Sequence, residues 1–192
     1  MKDESEQNSQ DSPVMNRRHF LKLGLLTAAA AAVFPIAASA RASLSPERTL
    51  DFYNIHTGER LRAAYWTEGS YHTGVLDEIN YLLRDYRTGE VKTIDPSLLD
   101  LLHSVNNVLK SSRPFHVISG YRSPETNAML AERTDGVAKH SLHIEGKAID
   151  IYLPDRSLRN LHRVALALRK GGVGYYPESD FVHMDVGQVR SW

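Results

Sequence analysis

The sequence predicts an α+β fold, a small antiparallel sheet with helices packed beside it. Short segments of alternating apolar and polar residues occur in pairs around turn sequences, as at His56-Thr57-Gly58-Glu59 and Pro177-Glu178-Ser179, which is the pattern of hairpins. Other stretches repeat apolar residues every three or four positions, the spacing of helices with one buried face. The two kinds follow one another in mixed order, which favours antiparallel pairing with helices beside it.

The first forty residues are set aside before the fold is argued. Asn16-Arg17-Arg18-His19-Phe20-Leu21-Lys22 has the form of a twin-arginine export signal, followed by an alanine-rich apolar run from Leu23 to Ala38 and the small residues Ala38-Ser39-Ala40. The run is short for a membrane span and contains Pro35. Residues 1–40 therefore read as a cleaved signal, 41–48 as a polar linker and 49–192 as one domain, with no stable span in the mature form. The expected destination is the periplasm, by way of the twin-arginine machinery.

In the domain, Thr49 to Trp66 forms a hairpin. A helix from Gly74 to Arg87 buries Val75, Leu76, Ile79, Leu82 and Leu83, and its Asp77, Glu78, Arg84, Asp85 and Arg87 read as a solvated, salt-bridged face. A second helix opens at the cap Asp95 with Pro96 in its first turn and buries Leu98, Leu99, Leu102, Val105 and Leu109. Phe115 to Ser119 is a strand, Pro124 to Arg133 a helix, and Ala148 to Leu153 a strand. Ser157 caps a helix carrying Leu158, Leu161, Val164, Ala165 and Leu168, ended by Gly171-Gly172. Val173 to Tyr176 and Phe181 to Val186 make the last hairpin.

Composition narrows the chemistry. The chain has no cysteine, so a bound metal must be held by His, Asp or Glu, and its formal charge is zero, which gives no footing for nucleic acid. His143, Asp150 and His183 then stand out. Two imidazoles and a carboxylate are the ligand count of a catalytic zinc that keeps one position open. In the strand Ala148 to Leu153, Asp150 points away from Ile149 and Ile151; in Phe181 to Val186, His183 and Asp185 point away from Val182 and Met184. If the two strands are neighbours, Asp150 and His183 share a cleft on the sheet face, and His143 reaches it from the preceding loop.

Ser141, His143, Gly146, Ala148 and Asp150 fit an S-x-H-x-x-G-x-A-x-D pattern, and Ser119-Gly120-Tyr121-Arg122-Ser123 fits S-G-Y-R-S. With the later His183, these segments resemble the zinc D-alanyl-D-alanine peptidases, and among them the exported murein endopeptidases of the K type. The resemblance implies one zinc on His143, Asp150 and His183, peptidoglycan stem peptides as substrate, and Arg122 and Ser141 as substrate contacts, Arg122 beside the scissile carbonyl oxygen or a carboxylate. It implies hydrolysis of peptide cross-links, with a carboxypeptidase or dipeptidase acting on stem peptides, or a non-catalytic zinc-stabilised binding module, as alternatives.

Many such relatives place a Glu three residues, or a His two residues, before the last ligand, where this chain has Asp180 and Phe181. Asp185, on the face of His183, is the first candidate for the general base and Asp180 the second. Asp185 is nearly as well suited to accept a hydrogen bond from the imidazole of His183. His140 is placed near the cleft, outside the ligand set, and Tyr175 and Tyr176 are placed as cleft wall or packing.

Overall fold

In the computed structural model the described residues are 47–133, 138 and 140–192, so the expected leader and most of the linker lie outside them. The chain forms β1 (Arg48–Asn54), β2 (Arg60–Thr67), β3 (Ser70–Tyr71), α1 (Thr73–Leu82), α2 (Pro96–Leu109), β4 (Phe115–Ser119), α3 (Pro124–Arg133), β5 (Ala148–Tyr152), α4 (Leu158–Leu168), β6 (Gly172–Tyr176), β7 (Phe181–Asp185) and β8 (Arg190–Ser191), with a 3-10 turn at Pro177–Ser179.

All the strands join one sheet of eight, in the order β3-β2-β1-β4-β5-β7-β6-β8. The α+β class holds, but the sheet is neither small nor wholly antiparallel. β1 pairs with β4 in parallel, and β6 with β8 likewise. The first parallel pair follows from the connection: α1 and α2 carry the chain back before β4 adds to the free edge of β1, and a helical crossover is what parallel pairing requires. The second arises because residues 186–189 bring the tail back beside β6.

The strands alternate cleanly. Phe52, Phe115, Val117, Ile149, Ile151, Val182 and Met184 are buried on one face, together with Ile79 of α1, Leu98 and Leu102 of α2 and Leu161 of α4. Asp95 caps α2 by accepting from Ser97 N at 2.9 Å, and Ser157 caps α4 by accepting from Asn160 N at 3.3 Å. Asp150, Tyr152 and His183 are thereby turned to the other face. Among the described residues no helix is long and apolar enough to cross a membrane.

Helix α1 ends at Leu82, short of the expected Arg87. Asp85 is the reason: it is 1 % exposed rather than solvated, and its carboxylate reaches across to Ser123, so the chain leaves the helix axis to deliver it. Arg84 does form a surface ion pair, but with Glu59 in the turn before β2, at 2.8 Å.

Candidate active site

β5 and β7 are hydrogen-bonded neighbours, and Asp150 stands directly opposite His183. The third ligand candidate comes from the turn before β5. Ile144 N, Glu145 N and Gly146 N bond back to Ser141 O, Leu142 O and His143 O, which winds the segment tightly enough to present His143 over the strand. Gly146 makes this turn possible: its φ is +69°, and a Cβ there would lie 2.3 Å from Thr93 O.

The three side chains converge. His143 Nε2 lies 3.2 Å from His183 Nδ1 and 3.3 Å from Asp150 Oδ1, and His183 Nδ1 lies 2.8 Å from Asp150 Oδ1. Ligands about 2.05 Å from a tetrahedral ion are separated by about 3.3 Å, so the spacing suits one zinc-sized ion. Tautomers agree with this. His143 Nδ1–H donates to Gly120 O at 2.7 Å and His183 Nε2–H donates to Asp185 Oδ2 at 3.1 Å, so both lone pairs turn toward Asp150. Three acceptor atoms thus face one buried point, which calls for a cation or a proton. Burial alone would lower the pKa of His183, but hydrogen bonds to Asp150 and Asp185 outweigh it and raise the group to about 9. Burial pushes Asp150 up, yet His143 and His183 hold it well below the ordinary carboxylate range.

Arg122 sits beside this centre, its Nη2 3.6 Å from Asp150 Oδ2 and its side chain 13 % exposed. Its bonds to Asn127 Oδ1 and Ser119 Oγ are long, 3.4 Å each, and its Nε has no partner among the described residues. Donor capacity is left for a ligand. The loop that carries it is stitched to the segment just after α1: Ser123 N and Oγ both donate to Asp85 Oδ2 at 2.8 Å, and Tyr121 N donates to Leu83 O at 2.7 Å. Burial would raise the pKa of Asp85, but these bonds and those from Thr126 and Arg87 N keep it low. Gly120 permits the approach, since a Cβ there would be 2.5 Å from Leu83 O.

The centre opens into a cavity of about 540 Å³, whose lining includes Arg122, His140, Ser141, Tyr176, Phe181 and Trp192. Ser141, the expected substrate contact, lines this cavity, and so does the exposed His140, which is not among the three converging side chains. Tyr176 forms the wall, while Tyr175 packs against His162 at 4.6 Å. The base candidates are placed differently. Asp180 is exposed at the left-handed end of the 3-10 turn and does not line the cavity. Asp185 has no exposure: Gly172 N, Gly187 N and Arg190 all bond to it besides His183. Those bonds and His183 overcome its desolvation and hold its pKa well below the usual range.

The residues that sequence reasoning missed are Asp85, Arg190 and Trp192. Arg190 Nη2 holds Asp185 Oδ2 at 2.7 Å, and Trp192 Nε1 donates to Tyr176 Oη at 2.7 Å. No motif spacing marked them. The one available signal was the pairing of a late Arg and Trp with a strand that already carried a ligand.

Fold and centre define an α+β protein able to hold one metal ion in a cleft on the open face of its sheet. The chain belongs to the peptidoglycan L,D-endopeptidase MepK family, whose sequence model matches residues 42–192. It is 43 % identical over 177 residues to the peptidoglycan L,D-endopeptidase MepK of Escherichia coli (strain K12), covering 92 % of this chain and 97 % of that one. It is 40 % identical over 178 residues to the probable peptidoglycan L,D-endopeptidase MepK of Haemophilus influenzae, covering 92 % and 95 %. Residues 14–34 match the twin-arginine translocation signal, and the protein is exported to the periplasm by that route. No solved structure matches.

Proposed function

We propose that the protein is a zinc-dependent peptidoglycan endopeptidase that hydrolyses L,D-peptide bonds in the cross-links between stem peptides, after its signal has been removed. The observation that carries this reading is the convergence of His143, Asp150 and His183 within about 3.3 Å of one another beside Arg122. Family membership supplies the substrate class: the matched relatives are named for peptidoglycan L,D-endopeptidase activity.

In this reading His143 Nε2, His183 Nδ1 and Asp150 hold the ion. Zinc, when bound, supplies Lewis acidity and activates water near neutral pH. Gly120 O and Asp185 fix the two imidazoles, so Asp185 is a positioning residue rather than the proton acceptor; its buried oxygens are committed. Arg122 binds the scissile carbonyl oxygen, where its unused N–H groups meet negative charge as it develops. Ser141 and the Tyr176 wall orient the peptide on either side.

Incubating the zinc-loaded protein with cross-linked muropeptides, with and without chelator, and weighing the products by mass spectrometry tests this. Cleavage at an L,D cross-link that the chelator stops is the expected result. One bound zinc with no cleavage of any muropeptide would leave a binding module, and release of terminal D-alanine alone would make it a carboxypeptidase.

A further inference from the structure

The metal ligands occupy one row of the open sheet face, and a second row lies beside it. Tyr53 of β1 is registered with His116 of β4, and His116 with Tyr152 of β5. One step beyond the Ile151–Val182 pair the β5–β7 register brings Tyr152 level with Phe181, which pairs with Tyr176 of β6. Five strands thus carry an aromatic side chain at the same level, a row about 19 Å long at 4.8 Å per strand. It runs two residues, about 7 Å, from the row that holds Asp150 and His183.

The two halves of the row are each packed. Ring centroids are 4.9 Å apart for Tyr53 and His116, 4.8 Å for His116 and Tyr152, and 4.5 Å for Tyr176 and Phe181. His116 Nδ1 and Tyr152 Oη share a 2.8 Å hydrogen bond, and among the described residues His116 Nε2 and the Tyr53 hydroxyl make no hydrogen bond. Tyr53, His116 and Tyr152 are half-buried, and the helices α1, α2 and α4 contribute their apolar residues to the other face. Burial, reinforced by Arg113, lowers the pKa of His116, so the row is neutral. Its end is marked by a charged pair, Arg60 with Asp51 at 2.8 Å.

We propose that Tyr53, His116 and Tyr152 form a carbohydrate subsite that receives the glycan strand of the substrate while the stem peptide lies over the metal row. This rests on the reading of the protein as a peptidoglycan hydrolase. The continuity is physical: Phe181 and Tyr176 line the metal cavity and belong to the same row. The chemistry matches as well. Sugar rings offer apolar C–H faces and hydroxyl edges, which suit rings with an apolar body and a polar tip. Charged stem peptides are served instead by Arg122, which reaches Asp150 of the neighbouring row from the loop after β4.

Two measurements test it. The exported, zinc-loaded protein is mixed with glycan strands stripped of peptide, and binding is read by calorimetry; separately, kcat/KM is compared for a cross-linked muropeptide with and without its sugars. Binding of the stripped strands and an advantage of about tenfold for the sugar-bearing substrate are expected. Tyr53→Ala and His116→Ala, checked for native melting, should erase both while leaving turnover of the sugar-free peptide unchanged. Equal turnover of the two substrates by the unmodified protein, or no binding to stripped strands, would overturn the subsite. Strand binding with no cleavage of either substrate would instead sink the hydrolase reading and leave the subsite standing.

Discussion

Asp185→Asn separates a positioning role from a catalytic one. The substitution keeps the shape, and Oδ1 can still accept from Gly172 N at 2.9 Å and Gly187 N at 2.8 Å. What changes is Oδ2, which accepts from His183 Nε2 at 3.1 Å and Arg190 Nη2 at 2.7 Å. An amide NH₂ in that place sets donor against donor. Flipping the amide moves the conflict to Gly172 and Gly187. The least costly response is for His183 to surrender its Nε2 proton and carry it on Nδ1, the atom that faces Asp150 and His143. An ion that takes Nδ1 then forces a proton back onto Nε2 against the amide donor, and loss of a carboxylate behind a ligating imidazole costs about 10- to 100-fold in affinity. Zinc titration against a competing chelator, followed by kcat at saturating zinc, is the assay. A dissociation constant raised by that factor, with activity largely restored at high zinc, is expected. Unchanged zinc affinity with abolished turnover would refute the reasoning and restore Asp185 as the base.

Other perturbations follow from the same geometry. His143→Ala removes a proposed ligand and should abolish stoichiometric zinc binding and muropeptide cleavage together, as metal analysis and product mass will show. Arg122→Ala should lower kcat/KM by about 10²- to 10³-fold with zinc affinity unchanged, the mark of a lost oxyanion contact. Asp85→Asn should cost about 1–3 kcal/mol at pH 7, because a buried carboxylate whose Oδ2 accepts from Ser123 N and Oγ and whose Oδ1 accepts from Arg87 N is replaced by an amide that can accept at only one of those two positions. The pKa of Asp85 is lowered on folding, so its contribution is full above the unfolded value near 4 and is lost as pH falls through the lower folded value. Urea midpoints of the two proteins should therefore converge on acidification.

Most sheet strands, and the meeting of Asp150 with His183 on one face, were legible because each rests on a local regularity. Alternation in β5 and β7 put Asp150 and His183 opposite the apolar face, and β5–β7 pairing made that face a site. The extent of the sheet was not legible: β8 is a two-residue strand, and the β1–β4 pairing depends on a crossover no local pattern announces. Asp85 was misread for a similar reason. On a helical wheel it joins a charged face, and only the end of α1 at Leu82 and the partner Ser123, 38 residues away, make it a buried anchor. Asp185 shows the limit of alternation, which gives the face of a side chain but not what lies over it. Arg190 closes over Asp185 from the tail, and so does the chain at Gly171 and Gly172, whose missing side chains leave the room.

The centre without metal holds a proton, and this fixes how zinc affinity depends on pH. His183 has its pKa raised to about 9 by Asp150 and Asp185 against the effect of burial, above the ordinary value near 6.5. Protonated His183 therefore stabilises the metal-free fold, fully below the unfolded pKa, and the contribution is lost as pH rises through about 9. Zinc competes for the same lone pair. Below pH 9 each ion bound must release about one proton, and apparent affinity should rise about tenfold per pH unit before levelling off. Calorimetric titrations in buffers of different ionisation heat measure the released proton directly. A release near one at pH 7 and near zero at pH 10 is expected; a pH-independent affinity across that range would mean that the imidazole is neutral in the metal-free protein and that the three acceptors are held together by something other than a proton.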